Sequence, residues 1–289
     1  MKINAETSLY CIFGNPVKHS FSPYIHNAAF RHLNLNSVYL AFEVSNIEEA
    51  LKAVKTLGIK GCSITIPFKS DVINYLDEIS DIASLIGAVN TIVNKDGKLS
   101  GTNTDTYGFY KALSNAIDIT DKNIAIFGSG GSARAGIFSL FYYSNPSKVY
   151  IIARNKEKRE TIKEEIISSL KKIGKNIEKN LLSWDIKDWK DINGIDVIVN
   201  TTPLGMHPDI DSSILNKEEI PEGKVVMDIV YNPVMTKFLT FAQERKCKII
   251  NGLEMLLQQG MKQFELWTGF NAPESIMREE LNKIFIDKS

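Results

Sequence analysis

The 289-residue sequence has no net charge, with 34 lysines and arginines against 34 aspartates and glutamates. That absence excludes partners held by a global electrostatic field, since a nucleic-acid binder that neutralises phosphates carries a basic excess and an acidic disordered chain the opposite. Cysteine is scarce: Cys11, Cys62 and Cys247 are odd in number, widely separated and outside any C-x-x-C pattern. They fit neither a disulfide framework nor a zinc site and point to a reducing interior. No run of 18 apolar residues occurs, and Met1-Lys2-Ile3-Asn4-Ala5-Glu6 lacks the apolar stretch of a signal peptide. The expected setting is therefore the cytoplasm, with no membrane span. Internal repeats and low-complexity segments are missing as well.

What is present reads as an α/β protein. The apolar fraction of 44% is ordinary for a globular chain, and the length exceeds what one core usually organises, so two domains with a ligand cleft are expected. Leu9 to Gly14 reads as a buried strand. A helix over Pro23 to Leu33 follows, with Ser22 placed to cap it and Pro23 at its first position. Ser37 to Val44 is a second strand. Asn46 can cap a helix whose apolar positions Ile47, Ala50, Leu51, Val54 and Leu57 recur at helical spacing, and Gly58 ends it. Cys62 to Ile66 makes a strand stopped by Pro67, and Ala88 to Val93 with Leu99 to Asn103 form a hairpin through Asp96-Gly97.

The second half opens on a strand, Asn123 to Phe127, that feeds into Gly128-Ser129-Gly130-Gly131-Ser132-Ala133. This is the G-x-G-x-x-[GA] form of the dinucleotide fingerprint, followed by a helix over Gly131 to Phe141 and a strand over Lys148 to Ala153. Gly128 permits the tight turn and Gly130 lets the backbone approach a pyrophosphate on the helix N-terminus. The plain alternative is a glycine-rich turn without ligand. The second strand ends in Arg154 rather than an acid, and Lys156, Lys158 and Arg159 follow, which favours the 2′-phosphate of NADP over NAD. For Lys156 and Arg159 a solvated helix start explains the charge equally well. Two further strands, Asp196 to Asn200 and Lys224 to Ile229, lead into Thr201-Thr202-Pro203-Leu204-Gly205-Met206 and Val230-Tyr231-Asn232-Pro233, at the edge where α/β sheets bind ligands. Thr202 is a candidate for the nicotinamide side, although a turn built on Pro203 and Gly205 accounts for it too.

Gly14-Asn15-Pro16-Val17-Lys18-His19-Ser20-Phe21-Ser22-Pro23 has the form G-x-P-x-x-H-S-x-S-P, and Thr65-Ile66-Pro67-Phe68-Lys69 the form T-x-P-x-K. Gly87-Ala88-Val89-Asn90-Thr91, Gly101-Thr102-Asn103-Thr104-Asp105, the Gly128 loop, Asn200 to Met206 and Asn251-Gly252-Leu253 to Gln259 follow in order. In these elements, over nearly the whole chain, the sequence resembles the shikimate dehydrogenase family. The resemblance implies a substrate-binding α/β domain over residues 1–105, with the C-terminal helices of 253–289 packing back on it and bringing Gln259 to the cleft. A Rossmann-type, doubly wound NADP domain over 106–252 completes the fold. It also implies reversible NADPH-dependent reduction of 3-dehydroshikimate to shikimate on the route to aromatic amino acids. The implied unit is a monomer or homodimer with no metal and no nucleic-acid or membrane partner.

Carried residue by residue, Lys69 matches the family's catalytic lysine and Asp105 its aspartate partner. Ser20 and Ser22 match the serines on the substrate carboxylate, Tyr231 a tyrosine near it, and Thr65, Lys69, Asn90, Asp105 and Gln259 groups around the substrate ring. The implied cofactor residues are Gly128, Ser129, Gly130, Gly131, Ser132, Ala133, Arg154, Lys158, Thr201, Thr202, Ile229 and Gly252. The chemistry suits the types, because hydride delivered to a ketone leaves an oxygen that needs a proton, and a lysine ammonium donates one while stabilising the charge.

Each assignment has a plain counterpart. Lys69 alone reads as a surface lysine, and Asp105 and Ser22 as N-caps. His19 and His26 read as packing or hydrogen-bonding residues rather than metal ligands. Phe264, Trp267 and Phe270 read as packing of the C-terminal helices. The sequence departs from the family pattern at Ser63, where Asn is frequent, and at Thr102. It departs also at Ala153 and Asn155 within Ala153-Arg154-Asn155-Lys156-Glu157-Lys158, which weakens the NADP element without introducing an acid. A quinate or dual quinate/shikimate dehydrogenase, and a nucleotide-sensing module without catalysis, are the competing readings.

Overall fold

The computed structural model describes residues 3–286, and these divide into two compact units. One is built from the chain up to Tyr107 together with the chain from Leu257, the other from Gly108–Leu256. No helix among the described residues is long and apolar enough to cross a membrane.

The first unit opens with β1 (Ser8–Gly14), α1 (Ser22–His32), β2 (Ser37–Glu43), α2 (Ile47–Leu57) and β3 (Gly61–Ile64). It continues through β4 (Glu78–Ile79), α3 (Asp81–Ile86), β5 (Thr91–Lys95), β6 (Lys98–Thr102) and α4 (Asp105–Ser114), which carries the chain into the second unit. The sheet order is β2-β1-β3-β5-β6-β4, with β1 parallel to both neighbours and β5 antiparallel to β3 and β6. The α2 reading holds at both ends: Asn46 Oδ1 accepts the Glu49 N–H at 3.2 Å, and Gly58 adopts φ +65°. Ile47, Ala50, Leu51 and Val54 are buried against the sheet, whereas Leu57, in the last turn, is exposed. The hairpin turn also holds, with Asp96 and Gly97 both at positive φ between the paired Lys95 and Lys98, as a type I′ turn requires.

Two expectations change here, both at helix starts. Ser22 is the first helical residue of α1, not its cap; the N-cap position is Phe21 and has no side-chain cap bond, because Ser22 turns into the buried interior. Asp105 likewise begins α4 from inside, and it is Asn103 Oδ1 that accepts the Thr106 N–H at 3.2 Å. Cys11 and Cys62, distant in sequence, are register partners on β1 and β3, with their buried sulfurs 3.5 Å apart. Burial holds the Cys62 thiol well above its ordinary pKa, so it stays protonated.

The second unit runs β7 (Asn123–Phe127), α5 (Gly131–Tyr143), β8 (Lys148–Ala153), α6 (Lys156–Lys171), β9 (Leu181–Asp185), β10 (Val197–Asn200), β11 (Val225–Asp228), α7 (Lys237–Glu244) and β12 (Lys248–Ile250). All pairings are parallel, in the order β12-β11-β10-β7-β8-β9. The chain winds outward from β7 in both directions, which is the doubly wound dinucleotide-binding order with its switch point between β7 and β10.

Helix α8 (Gly252–Thr268) returns the chain to the first unit, and α9 (Glu274–Ile286) packs on α1. Gly61 on β3 lets α8 approach the sheet, since a Cβ there would collide with the Trp267 indole, whose Nε1 donates to Ile92 O at 2.9 Å. Phe264 is fully buried, whereas Phe270, beyond the helix end, is 53% exposed. His26 is fully buried and stacked on Tyr39 with ring centroids 4.6 Å apart. Burial lowers its pKa to about 3, so it is a neutral core residue. Among the described residues no cluster of His, Cys, Asp and Glu is arranged to hold a metal ion.

Candidate functional site

In the first unit the carboxyl ends of β1 and β3 converge on the Thr65–Lys69 turn. The Thr65 N–H donates to Phe13 O at 2.9 Å and the Asn15 N–H to Ile66 O at 2.9 Å. Gly14 is required by this crossing, because a Cβ would overlap the Thr65 methyl. The turn is held from the other side by the Val89 N–H donating to Lys69 O at 2.8 Å. Lys69 is thereby aimed at the start of α4, and its Nζ donates to Asp105 Oδ2 at 2.6 Å. The Lys69 and Asp105 side chains are about one-third and one-fifth exposed, so the pair is sheltered yet reachable.

Around this pair the polar residues are buried and bonded. Asn90 Oδ1 accepts the Thr104 N–H and the Thr91 hydroxyl, each at 2.7 Å, which ties it to the residue before Asp105. Ser22 is buried, and its N–H reaches Ser20 Oγ at 3.3 Å. Gly260 lets α8 close on α1 at Ile25, and the neighbouring Gln259 is buried. At the two departures from the family pattern, Ser63 accepts from Tyr39 OH at 2.6 Å and donates to Gln263, while Thr102 pairs with Ser80 at 2.8 Å.

In the second unit the Gly128 loop and the Thr201 loop meet at the switch point. Gly128 has φ +129°, and a Cβ on it would collide with Thr201 Oγ1, which itself donates to Phe127 O at 2.7 Å. Gly130 is the N-cap of α5 and brings no side chain to the helix end; a Cβ on Gly130 or Gly131 would meet open space. Residues 130–132 are exposed, Ser129 is half-buried, Ala133 is fully buried, and no acid lies in the first helical turn. Thr202 donates to Asn200 Oδ1 at 2.7 Å, and Gly252 fits only without a side chain against the carbonyl oxygens of Ile229 and Val230. Tyr231, half-buried, follows these carbonyls.

The basic cluster separates into two kinds of residue. Arg154 and Lys158 are exposed, and neither side chain has a protein partner among the described residues. Arg159 is buried and consumed internally, donating to Ala153 O, Ser183 Oγ and Asp185 Oδ2, so it holds α6 to β9 and is not available to a phosphate. Asn155 caps α6 through the Lys158 N–H at 2.9 Å. An uncapped glycine helix start and two exposed cations, Arg154 just after β8 and Lys158 in the first turn of α6, fit an anionic dinucleotide carrying a further phosphate.

Sequence reading passed over Asp228. At the end of β11 it is fully buried and accepts from Thr236 Oγ1 at 2.7 Å and from Val230 N and Asn200 Nδ2 at 3.0 Å each. It thus braces the Asn200–Thr202 segment. Burial outweighs these donors and raises its carboxyl from 3.8 to about 6. The folded state therefore keeps a proton that the unfolded chain releases between those values. Stability falls as pH rises through that window, by up to about 3 kcal/mol from this group. In urea unfolding, the stability of the wild type relative to Asp228→Asn is expected to fall by about 2 to 3 kcal/mol between about pH 4 and pH 7. A difference constant over that range contradicts the assignment.

A family model described as the shikimate dehydrogenase substrate binding domain matches residues 12–92, and one described as the shikimate 5′-dehydrogenase C-terminal domain matches residues 252–281. The chain is 44% identical over 284 residues to the shikimate dehydrogenase (NADP(+)) of Methanocaldococcus jannaschii, covering 96% of this chain and 98% of that protein. Among solved structures it is similar to a shikimate dehydrogenase in complex with NADP+, at a TM-score of 0.90 and 42% identity with 98% of each chain covered. It is also similar to the Thermus thermophilus shikimate 5-dehydrogenase in complex with NADP(H) and shikimate, at a TM-score of 0.83 and 31% identity over 96% of this chain and 99% of that one.

Proposed function

The chain belongs to the shikimate dehydrogenase family, and from that premise we propose that Lys69 and Asp105 form the reacting end of its substrate site. The activity is the reversible NADPH-dependent reduction of 3-dehydroshikimate to shikimate, a step toward the aromatic amino acids. The observation that carries the residue assignment is the 2.6 Å bond from Lys69 Nζ to Asp105 Oδ2. An ammonium has three N–H groups, so one is committed to Asp105 and two remain for a substrate oxygen.

In the reduction Lys69 Nζ donates a proton to the ketone oxygen as charge develops there, and in the oxidation the neutral amine takes the proton from the hydroxyl. Asp105 fixes the ammonium and accepts a hydrogen bond from a ring hydroxyl. Asn90, Thr65 and Gln259 bind the other hydroxyls, with the hydroxyls of Ser20 and Ser22, aided by Tyr231, on the carboxylate. Backbone N–H groups of residues 128–133 receive the pyrophosphate, Arg154 and Lys158 the 2′-phosphate, and Thr201, Thr202, Ile229 and Gly252 shape the nicotinamide side. When bound, NADPH supplies the hydride. The proposal includes a cytoplasmic location and a monomer or homodimer as the working unit.

Steady-state rates with shikimate and quinate, each against NADP and NAD, test the substrate assignment. Shikimate with NADP is expected to give the highest kcat/KM, by about tenfold or more over quinate. A preference for quinate would replace this reading with that of a quinate dehydrogenase.

A further inference from the structure

Gln263 lies one turn beyond Gln259 on α8 and is buried, at 1% exposure. Its Oε1 accepts the Ser63 hydroxyl at 2.9 Å, and its Nε2 donates to Thr91 Oγ1 at 3.0 Å and to Asn90 O at 3.2 Å. The amide orientation is fixed from both sides. Ser63 receives the Tyr39 proton at 2.6 Å and must pass its own to Gln263. Burial holds the Tyr39 phenol well above its usual pKa, so it remains a donor.

The hydrogen bonds continue toward the proposed substrate site. Thr91 accepts the Gln263 N–H at 3.0 Å, and its single hydroxyl proton goes to Asn90 Oδ1 at 2.7 Å, the shorter of its contacts. A backbone N–H can only donate, and the Thr104 N–H reaches that same Asn90 atom at 2.7 Å, which identifies it as the carbonyl oxygen. Asn90 Nδ2 then gives one N–H to Thr104 Oγ1 at 3.0 Å, and its second N–H is bonded to no protein acceptor among the described residues. Five buried side chains, Tyr39, Ser63, Gln263, Thr91 and Asn90, form one chain with every proton pointing the same way.

We propose that Gln263 is a positioning residue for substrate recognition: through Thr91 it holds the Asn90 amide so that an N–H faces a ring hydroxyl oxygen. This rests on the reading of Asn90 as a substrate ligand. Without the Gln263 donor, the Thr91 hydroxyl is free to turn to Thr104 Oγ1, 3.1 Å away, and the Asn90 amide loses an anchor.

Kinetics of Gln263→Met, Thr91→Val, Thr91→Ser, Asn90→Ala and the Gln263→Met/Asn90→Ala double variant test this. Gln263→Met is expected to raise KM for shikimate about tenfold, with a smaller fall in kcat and KM for NADP changed by less than about twofold. Thr91→Val matches it, whereas Thr91→Ser, which keeps the hydroxyl, stays within about twofold of wild type. In the Asn90→Ala background the Gln263 change adds less than about twofold, because its route to substrate is already gone. An unchanged shikimate KM, or the full effect persisting in that background, overturns the proposal. Should Gln263→Met fail to fold, the Thr91 pair decides alone, and equal behaviour of Val and Ser overturns it. Wild-type protein that does not turn over shikimate would instead sink the proposed function.

Discussion

Lys69→Ala is expected to lower kcat by about 10² to 10⁴, with KM for shikimate changed by less than about threefold. The size follows from what the side chain does. The ammonium donates the proton that the developing alkoxide requires and supplies the local positive charge that stabilises it, and both interactions strengthen in the transition state. Binding is shared among Asn90, Thr65, Gln259 and the serines, so the ground state loses little. The substitution is structurally quiet, because the Lys69 turn is held by backbone bonds, Val89 N to Lys69 O and Thr65 N to Phe13 O, that do not involve the side chain. It leaves Asp105 one-fifth exposed and hydrated rather than buried and unpaired. A variant with near-normal kcat would remove Lys69 from the proton transfer.

Arg154→Ala is expected to raise KM for NADP by about 10- to 100-fold and to leave KM for NAD within about twofold. A guanidinium on a phosphate makes bidentate, charge-assisted bonds that a ribose hydroxyl does not replace. Arg154 makes no side-chain bond among the described residues, so its removal acts on the ligand alone, in contrast to Arg159, whose loss would free the buried end of α6. The effect should shrink as salt is raised, since the site is exposed. Equal weakening of both cofactors would contradict the 2′-phosphate assignment.

The elements most legible in the sequence are those whose physics is local. Asn46 and Gly58 bracket α2, Asp96-Gly97 dictates a type I′ hairpin, and Gly128 to Ala133 after a strand sets the start of α5. Each is decided by a few adjacent residues. Less legible are relations that only tertiary structure creates. Nothing in the spacing of Cys11 and Cys62 signals that β1 and β3 run side by side in register. Arg159 looks like its exposed neighbours because its partners, Ser183 and Asp185, lie on β9, a strand whose short sequence has no strong alternation. Ser22 has the residue type of a cap, but the helix begins one residue earlier because Phe21 takes that position and the serine faces inward.

The candidate site shows the same division. Lys69, Asp105 and Asn90 stand out through motif elements, while Gln263, which backs Asn90, and Asp228, which braces Asn200, carry no motif signal. Gln263 is separated from Thr91 by most of the chain and meets it only because α8 returns to the first unit. A glutamine at a helical spacing of four from Gln259 is the one trace in the sequence, and it gains meaning only beside the Ser63 and Thr91 hydroxyls.

The decisive measurement is turnover itself: purified protein is mixed with NADP and shikimate, and the absorbance of the reduced nicotinamide is followed together with the amount of 3-dehydroshikimate formed. The predicted result is NADPH and 3-dehydroshikimate appearing in equal amounts, with the reaction reversed on adding NADPH and 3-dehydroshikimate. No absorbance change with shikimate, under conditions where the protein is folded and binds NADP, would contradict it and leave a nucleotide-binding protein without this activity.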